Sequence, residues 1–352
     1  MNIALDGMPL ASELTGVGHY TFELARSLAV VAPTDSFALI SPEPGLLNRR
    51  WWSIGLPLYL ARSSFDLFHG TNYEIPFWSR CPSVVTIHDL SLLLHPEVHR
   101  QNLVRRARWR LPRMAKSAAR IITPSESVKR EVCETLRINS DKVVVTPEAP
   151  RSTFKRREGA AVVELRQRLG IGEDFILFVG TVEPRKNLHR LVEAFDQLLR
   201  TTSLSPQLVI AGGQGWLMDD FGSVIKQKKD RICLTGYLQD EELCALYSSC
   251  KAFVYPSLYE GFGLPPLEAM ACGAPVITSR IPSIMETVGT AARLVDPRDV
   301  NDLSRAIAEM LSDEQERKHF SDAGAEHVKK FTWEQTAIKT LEVYKEAADF
   351  RG

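Results

Sequence analysis

Short runs of β-branched and aromatic residues alternate with amphipathic stretches along the whole chain. Runs at 2–6, 36–41, 66–70, 83–88, 120–124 and 142–146 read as strands in the first part. Runs at 175–180, 207–212, 231–236, 252–256, 275–279 and 292–296 do so in the second. Helical spacing fills the intervals, as in Leu188, Leu191, Val192, Phe195, Leu198 and Leu199. Strands alternating with helices predict parallel sheets with right-handed crossovers. Twelve strands exceed one ordinary open sheet of this kind and suit two doubly wound domains of six.

The boundary falls at 147–159, where Pro147 and Pro150 precede a polar run at 151–157. This gives an N-terminal domain of residues 1–150 and a C-terminal domain of 151–332. A last helical segment, 333–350, follows. In open parallel sheets, ligands bind beyond the carboxyl ends of the strands. The informative residues are therefore expected just after strands.

Composition narrows the classes. The chain has 352 residues, with 43 Lys+Arg against 43 Asp+Glu. That balance argues against a nucleic-acid binder, which is usually basic. Residues 1–150 hold 17 cations and 14 anions, and the rest hold 26 and 29, so the halves differ in sign. No apolar run is long enough for a transmembrane helix, and the start reads as a strand rather than a signal peptide. The six cysteines lack metal or CxxC spacing and read as reduced core thiols, which predicts a cytoplasmic protein.

The segment from Tyr255 to Met270 carries most information. A strand end leads through Glu260, Gly261, Phe262, Gly263 and Leu264 into a helix with Pro265 in its first turn. Backbone amides at a helix start form an anion site, well suited to phosphate. Glu268, expected in the first helical turn, suits a ribose diol. Glu260 suits hydroxyls of a sugar beyond the phosphates. A capping carboxylate and a helix-dipole Glu would give the same spacing. Arg185 and Lys186 follow another strand, where they can stabilise a diphosphate leaving group. No Asp-x-Asp motif stands at a strand end to hold Mg²⁺; Asp219 and Asp220 are adjacent.

Glu260 and Glu268 match the E-x7-E motif of the family-four retaining glycosyltransferases, and the segment SLYEGFGLPPLEAMACGAPVITS resembles that family closely. The resemblance covers nearly the whole chain. It implies the GT-B fold: two facing Rossmann-like domains with an interdomain cleft, and the last helix, 333–350, crossing back to the first domain. It implies a metal-independent, retaining transfer of a hexose from a sugar nucleotide, with no further cofactor. By resemblance, the basic pair Arg185 and Lys186 binds the diphosphate. Glu260 contacts the sugar, and Gly236 and Tyr237 meet the base. Gly16 and Gly18 line the cleft before a helix at 20–30. His88 lies near the transferred sugar, with Asp89 on the acceptor side. Many relatives carry Arg where Thr181 stands here, which leaves the part played by Arg185 open.

The wording GTVEPRKN, with His88-Asp89-Leu90 earlier, is most similar to mannosyltransferase-like members, so GDP-mannose is the first expected donor. UDP-glucose and UDP-N-acetylglucosamine follow. An epimerase or hydrolase on the same fold, or a non-catalytic sugar-nucleotide binder, are the competing readings. The expected acceptor is a hydroxyl of a glycan or lipid-diphosphate-linked glycan. Ser125 reads as a helix cap. Segment 99–120 carries eight Arg and Lys and no acid, with Trp109 among them and Trp51-Trp52 earlier. It reads either as a solvated basic face or as a patch for the anionic inner membrane surface. Arg106, Arg110, Arg113 and Arg120 are expected on one helical face, broken or kinked at Pro112.

Overall fold

The computed structural model describes residues 1–11, 16–42, 50–213 and 230–349. The chain divides into two compact units, Met1–Ala149 with Phe331–Gly352, and Pro150–Lys330. Each is built on one six-stranded sheet.

The first sheet contains β1 (Asn2–Asp6), β2 (Ser36–Ile40), β3 (Leu67–Gly70), β4 (Ser83–Thr86), β5 (Arg120–Thr123) and β6 (Val143–Val145). Their order is β2-β1-β3-β4-β5-β6. The second contains β7 (Phe175–Val179), β8 (Gln207–Ala211), β9 (Ile232–Gly236), β10 (Ala252–Tyr255), β11 (Val276–Ser279) and β12 (Arg293–Val295), in the order β12-β11-β10-β7-β8-β9. All ten pairings are parallel. Every expected strand is present, and all but β1 are shorter than expected by a residue or more. The second order is that of a dinucleotide-binding sheet, and its direction of winding reverses between β7 and β10. The first reverses between β1 and β3.

Central strands are buried along almost their whole length because helices cover both faces. All five residues of β7, Phe-Ile-Leu-Phe-Val, are buried. Edge strand β9 alternates between covered and exposed positions. The helix Leu188–Thr201 buries Leu188, Leu191, Val192, Phe195 and Leu198, the stripe expected from its spacing.

The helix Trp333–Asp349 packs in the first unit. Trp333, Ala337, Leu341 and Tyr344 share a core with Tyr20, Leu24 and Leu28. Tyr344 Oη lies 2.6 Å from His69 Nδ1, and His69 Nε2 lies 2.8 Å from Thr86 Oγ1. Burial and the nearby His88 push the His69 pKa down to about 3, so its ring is neutral.

The helix Gln101–Ser117 runs unbroken through Pro112, contrary to expectation. Proline removes one intrahelical hydrogen bond. Buried Val104, Ala107, Leu111, Met114 and Ala115 anchor the helix on both sides of that loss. Arg120 lies on β5 rather than on the arginine face of this helix. No helix among the described residues is long and apolar enough to cross a membrane.

Candidate active site

In the second unit, the loops after β7 and β10 meet at the reversal point. The first makes a 3-10 turn at Pro184–Lys186. The Leu258 amide donates to the Arg185 carbonyl at 2.8 Å and ties the loops together. Asn187, held at φ +60°, donates through Nδ2 to the carbonyls of Pro256 and Pro297 at 3.0 and 2.6 Å. That buried amide fixes where the preceding cations sit.

Glu260 lies at the centre. Its Oε2 accepts from Arg185 Nη1 at 2.9 Å. Its Oε1 accepts from Lys186 Nζ at 2.7 Å, Tyr255 Oη at 2.9 Å and Ser257 Oγ at 2.6 Å. Arg185 Nη2 also donates to Glu183 at 2.7 Å. Burial alone would raise the Glu260 pKa, but Arg185 and Lys186 overcome it and hold the carboxyl down at about 2. Burial, followed by the adjacent Arg185 charge, lowers the Lys186 pKa against the opposing pull of Glu260. Arg185 is therefore a half-buried member of the cluster, not a surface side chain. Tyr255, Ser257, Glu183 and Asn187 were not singled out from the sequence. Their positions one to five residues from Glu260 or Lys186 are the available signal.

The glycine loop is held from one side. Ser283 Oγ donates to the Glu260 carbonyl at 2.6 Å, and Thr287 Oγ1 donates to the Phe262 carbonyl at 2.7 Å. Both donors lie on the helix Pro282–Val288. In a planar trans peptide the following N–H points opposite to the carbonyl. The amides of Gly261 and Gly263 are thus directed away from that helix, ahead of the helix Leu264–Ala271. Gly263 has φ +107°, and a Cβ there would stand 2.5 Å from Ile284 Cδ1.

Glu268 is the fifth residue of the helix Leu264–Ala271, one position past the expected first turn, because the helix starts at Leu264. Its Oε1 is 3.7 Å from Arg151 Nη2, while Arg151 Nη1 is bound to Asp240 Oδ2. Burial outweighs that long contact and raises the Glu268 pKa to about 7. Arg151 was read only as part of a polar linker. At the end of β9, Gly236 takes φ +73° and Tyr237 is exposed. Asp219 and Asp220 lie outside the described residues.

In the first unit, His88 follows β4. Its Nδ1 lies 2.9 Å from Glu148 Oε1 and its Nε2 lies 2.9 Å from the Thr71 carbonyl. Burial lowers its pKa, but these acceptors more than compensate, and the net shift is upward. Two acceptors on two ring nitrogens favour the imidazolium. In this conformation neither nitrogen is available to a sugar hydroxyl. Tyr20 and Tyr73 pack edgewise on the ring at 4.7 and 5.8 Å. Asp89 Oδ1 accepts from Ser91 N and Oγ, opening a short helix. Ser125 caps the helix Glu126–Leu136 by accepting the Val128 amide. Gly16 and Gly18 form the first turn of the helix Gly16–Val31 rather than a loop before it.

Two parallel-sheet units, one with buried cations and a helix-opening glycine loop at its winding reversal, define the GT-B class of glycosyltransferases. Residues 163–327 match the family described as glycosyl transferases group 1, and residues 14–149 match Glycosyltransferase Family 4. The chain belongs to Glycosyltransferase Family 4. It is 30% identical to O-antigen chain mannosyltransferase B of Escherichia coli, over 98% of this chain and 100% of that protein. It is also 30% identical to the MMP alpha-(1->4)-mannosyltransferase of Mycolicibacterium hassiacum, over 81% of this chain and 72% of that one. The sucrose-phosphate synthase of Thermosynechococcus elongatus shares the fold, with a TM-score of 0.77 over 98% of each chain at 22% identity. The protein is a glycosyltransferase with a sugar nucleotide as donor.

Proposed function

We propose that this enzyme transfers mannose from GDP-mannose to a hydroxyl of a growing polysaccharide, with retention of configuration and without a metal. The full-length similarity to an O-antigen mannosyltransferase carries the choice of sugar. The buried cluster of Arg185, Lys186 and Glu260 carries the chemistry.

In this reading Glu268 accepts both ribose hydroxyls, and Gly236 and Tyr237 border the base. The Gly261–Leu264 amides take the diphosphate. Lys186 and Arg185 stabilise the charge that develops on the departing phosphate, usually the largest electrostatic contribution in such a reaction. Glu260 orients those cations and meets the sugar hydroxyls as they exchange partners. In this reading Glu260 is engaged with the cations and the sugar hydroxyls rather than serving as a nucleophile, and attack comes from the leaving-group face, with the phosphate taking the acceptor's proton. His88 is held in place by Glu148 and the Thr71 carbonyl in the first unit. Exposed Arg105, Arg108 and Lys116 share a face with Trp109 and provide contact for the headgroups around a lipid-linked acceptor.

Thermal-shift screening against GDP, UDP, ADP and their sugars tests the donor, because stabilisation grows with ligand concentration over Kd. GDP and GDP-mannose should stand out. NMR of the anomeric signal in the product tests retention, and an inverted product would overturn it.

A further inference from the structure

We propose that a cavity at the winding reversal of the first sheet binds one uncharged pyranose ring of the acceptor, between aromatic walls Trp52 and Tyr73, with Asp6, Glu74, Arg106 and Arg110 as its hydroxyl partners. The cavity measures about 370 Å³, near the lower end of small-ligand sites. The inference rests on the transferase reading above and names the chemistry of its second substrate.

Position is the first argument. The cavity is lined by Asp6 at the end of β1 and by Asn72, Tyr73 and Glu74 just after β3. These are the two strands between which the winding of this sheet reverses, where open parallel sheets place their ligands. The helix Gln101–Ser117 supplies Arg106 and Arg110, beside Glu74.

Charge is the second. Glu74 bridges both arginines, at 2.6 Å to Arg106 and 3.2 Å to Arg110. With Asp6 beside them, two carboxyls face two guanidiniums. A phosphate entering this cavity would have to displace Glu74 from its partners. A sugar hydroxyl needs no such displacement, since planar carboxylate and guanidinium groups bind hydroxyls at their edges. Burial, and then the Glu74 charge, raise the Asp6 pKa to about 7, so near neutrality its carboxyl both donates and accepts.

Backbone strain is the third. Tyr73 sits at φ +60°, a left-handed conformation rare for a bulky residue. It is fixed there by its own amide donating to the Thr86 carbonyl at 3.1 Å, and by the Asp89 amide donating to its hydroxyl at 3.0 Å. The same ring packs against His88. The strained side chain therefore forms the shared wall between the cavity and the histidine that follows β4.

The test uses saturation-transfer NMR of the full chain with α-mannobiose, with inorganic pyrophosphate as the charged competitor. GDP-induced thermal shift reports the donor site separately. The wild type should bind the disaccharide, and pyrophosphate should not displace it. Trp52→Ala, and Arg106→Gln at a side chain 58% exposed, should each weaken it about tenfold. Acceptor KM should rise in step while donor KM and the GDP shift stay unchanged. The proposal fails if the wild type does not bind α-mannobiose, or if pyrophosphate displaces it. It also fails if Arg106→Gln, folded by its GDP shift, binds and turns over like wild type. Absence of a GDP shift in the wild type would sink the donor reading instead, and the disaccharide titration would still decide the cavity.

Discussion

Lys186 Nζ lies 2.7 Å from Glu260 Oε1, although the two residues are 74 positions apart. The β7 and β10 loops bring them together, and neither is covered by solvent. Lys186→Ala should lower kcat by about 10²–10³-fold, the usual loss when one preorganised charge is removed from a reacting group. Lys186→Arg should not restore it, because a planar fork cannot replace a point charge directed at both Tyr255 and Glu260. Steady-state kinetics under saturating donor decide this. Activity of Lys186→Arg near that of wild type would show that only positive charge is needed.

Glu268 makes donor binding depend on pH. Its folded pKa of about 7 lies above the ordinary value of 4.5. Its contribution to stability is therefore fully present below about 4.5 and declines as pH rises through 7. Ribose recognition runs the other way, because the ionised carboxylate accepts both hydroxyls. GDP affinity should rise with pH between 6 and 8, with proton release on binding near pH 6.5. Calorimetry in buffers of different ionisation enthalpy measures this. Glu268→Gln should remove the proton release and weaken binding.

Gly263→Ala should destabilise the second unit by about 1–2 kcal/mol, for the left-handed backbone and the contact with Ile284. Adding Ile284→Val removes the clashing Cδ1 atom and should recover part of the loss, leaving the backbone share. GDP-induced shifts of the single and double variants separate stability from loop geometry. Equal melting temperatures for the two variants would place the whole cost in the backbone.

Tyr344→Phe removes the partner of His69 Nδ1 in a fully buried site. An orphaned buried polar atom costs about 1–3 kcal/mol. The unfolding midpoint of the first unit should fall while the GDP shift of the second is retained. Denaturation followed through the tryptophans of the first unit gives the readout.

The strands were legible because each central one is a nearly continuous apolar run, and parallel pairing leaves no other reading. Glu260, Lys186 and the glycine loop were legible because a loop must follow each strand and its residue types are chemically unusual. Other relationships depended on topology. Nothing local to Glu74 reveals that Arg106 and Arg110 face it, since a whole strand and two short helices intervene. Still longer separations hide Glu148 from His88 and Arg151 from Glu268. The expected break at Pro112 failed for a physical reason: five buried side chains outweigh one missing hydrogen bond. The basic segment changes meaning accordingly, because two of its arginines are paired with Glu74.

The helix Trp333–Asp349 finishes the core of a unit whose first strand lies at the opposite end of the chain. His69 waits for a hydroxyl 275 residues further on. During synthesis the second unit emerges whole and can fold as a continuous segment. The first unit can bury Tyr20, Leu24 and Leu28 fully only after that segment has been made. Its assembly is therefore the later event, and substitutions along the last helix should affect yield in the cell more than catalysis in the purified enzyme.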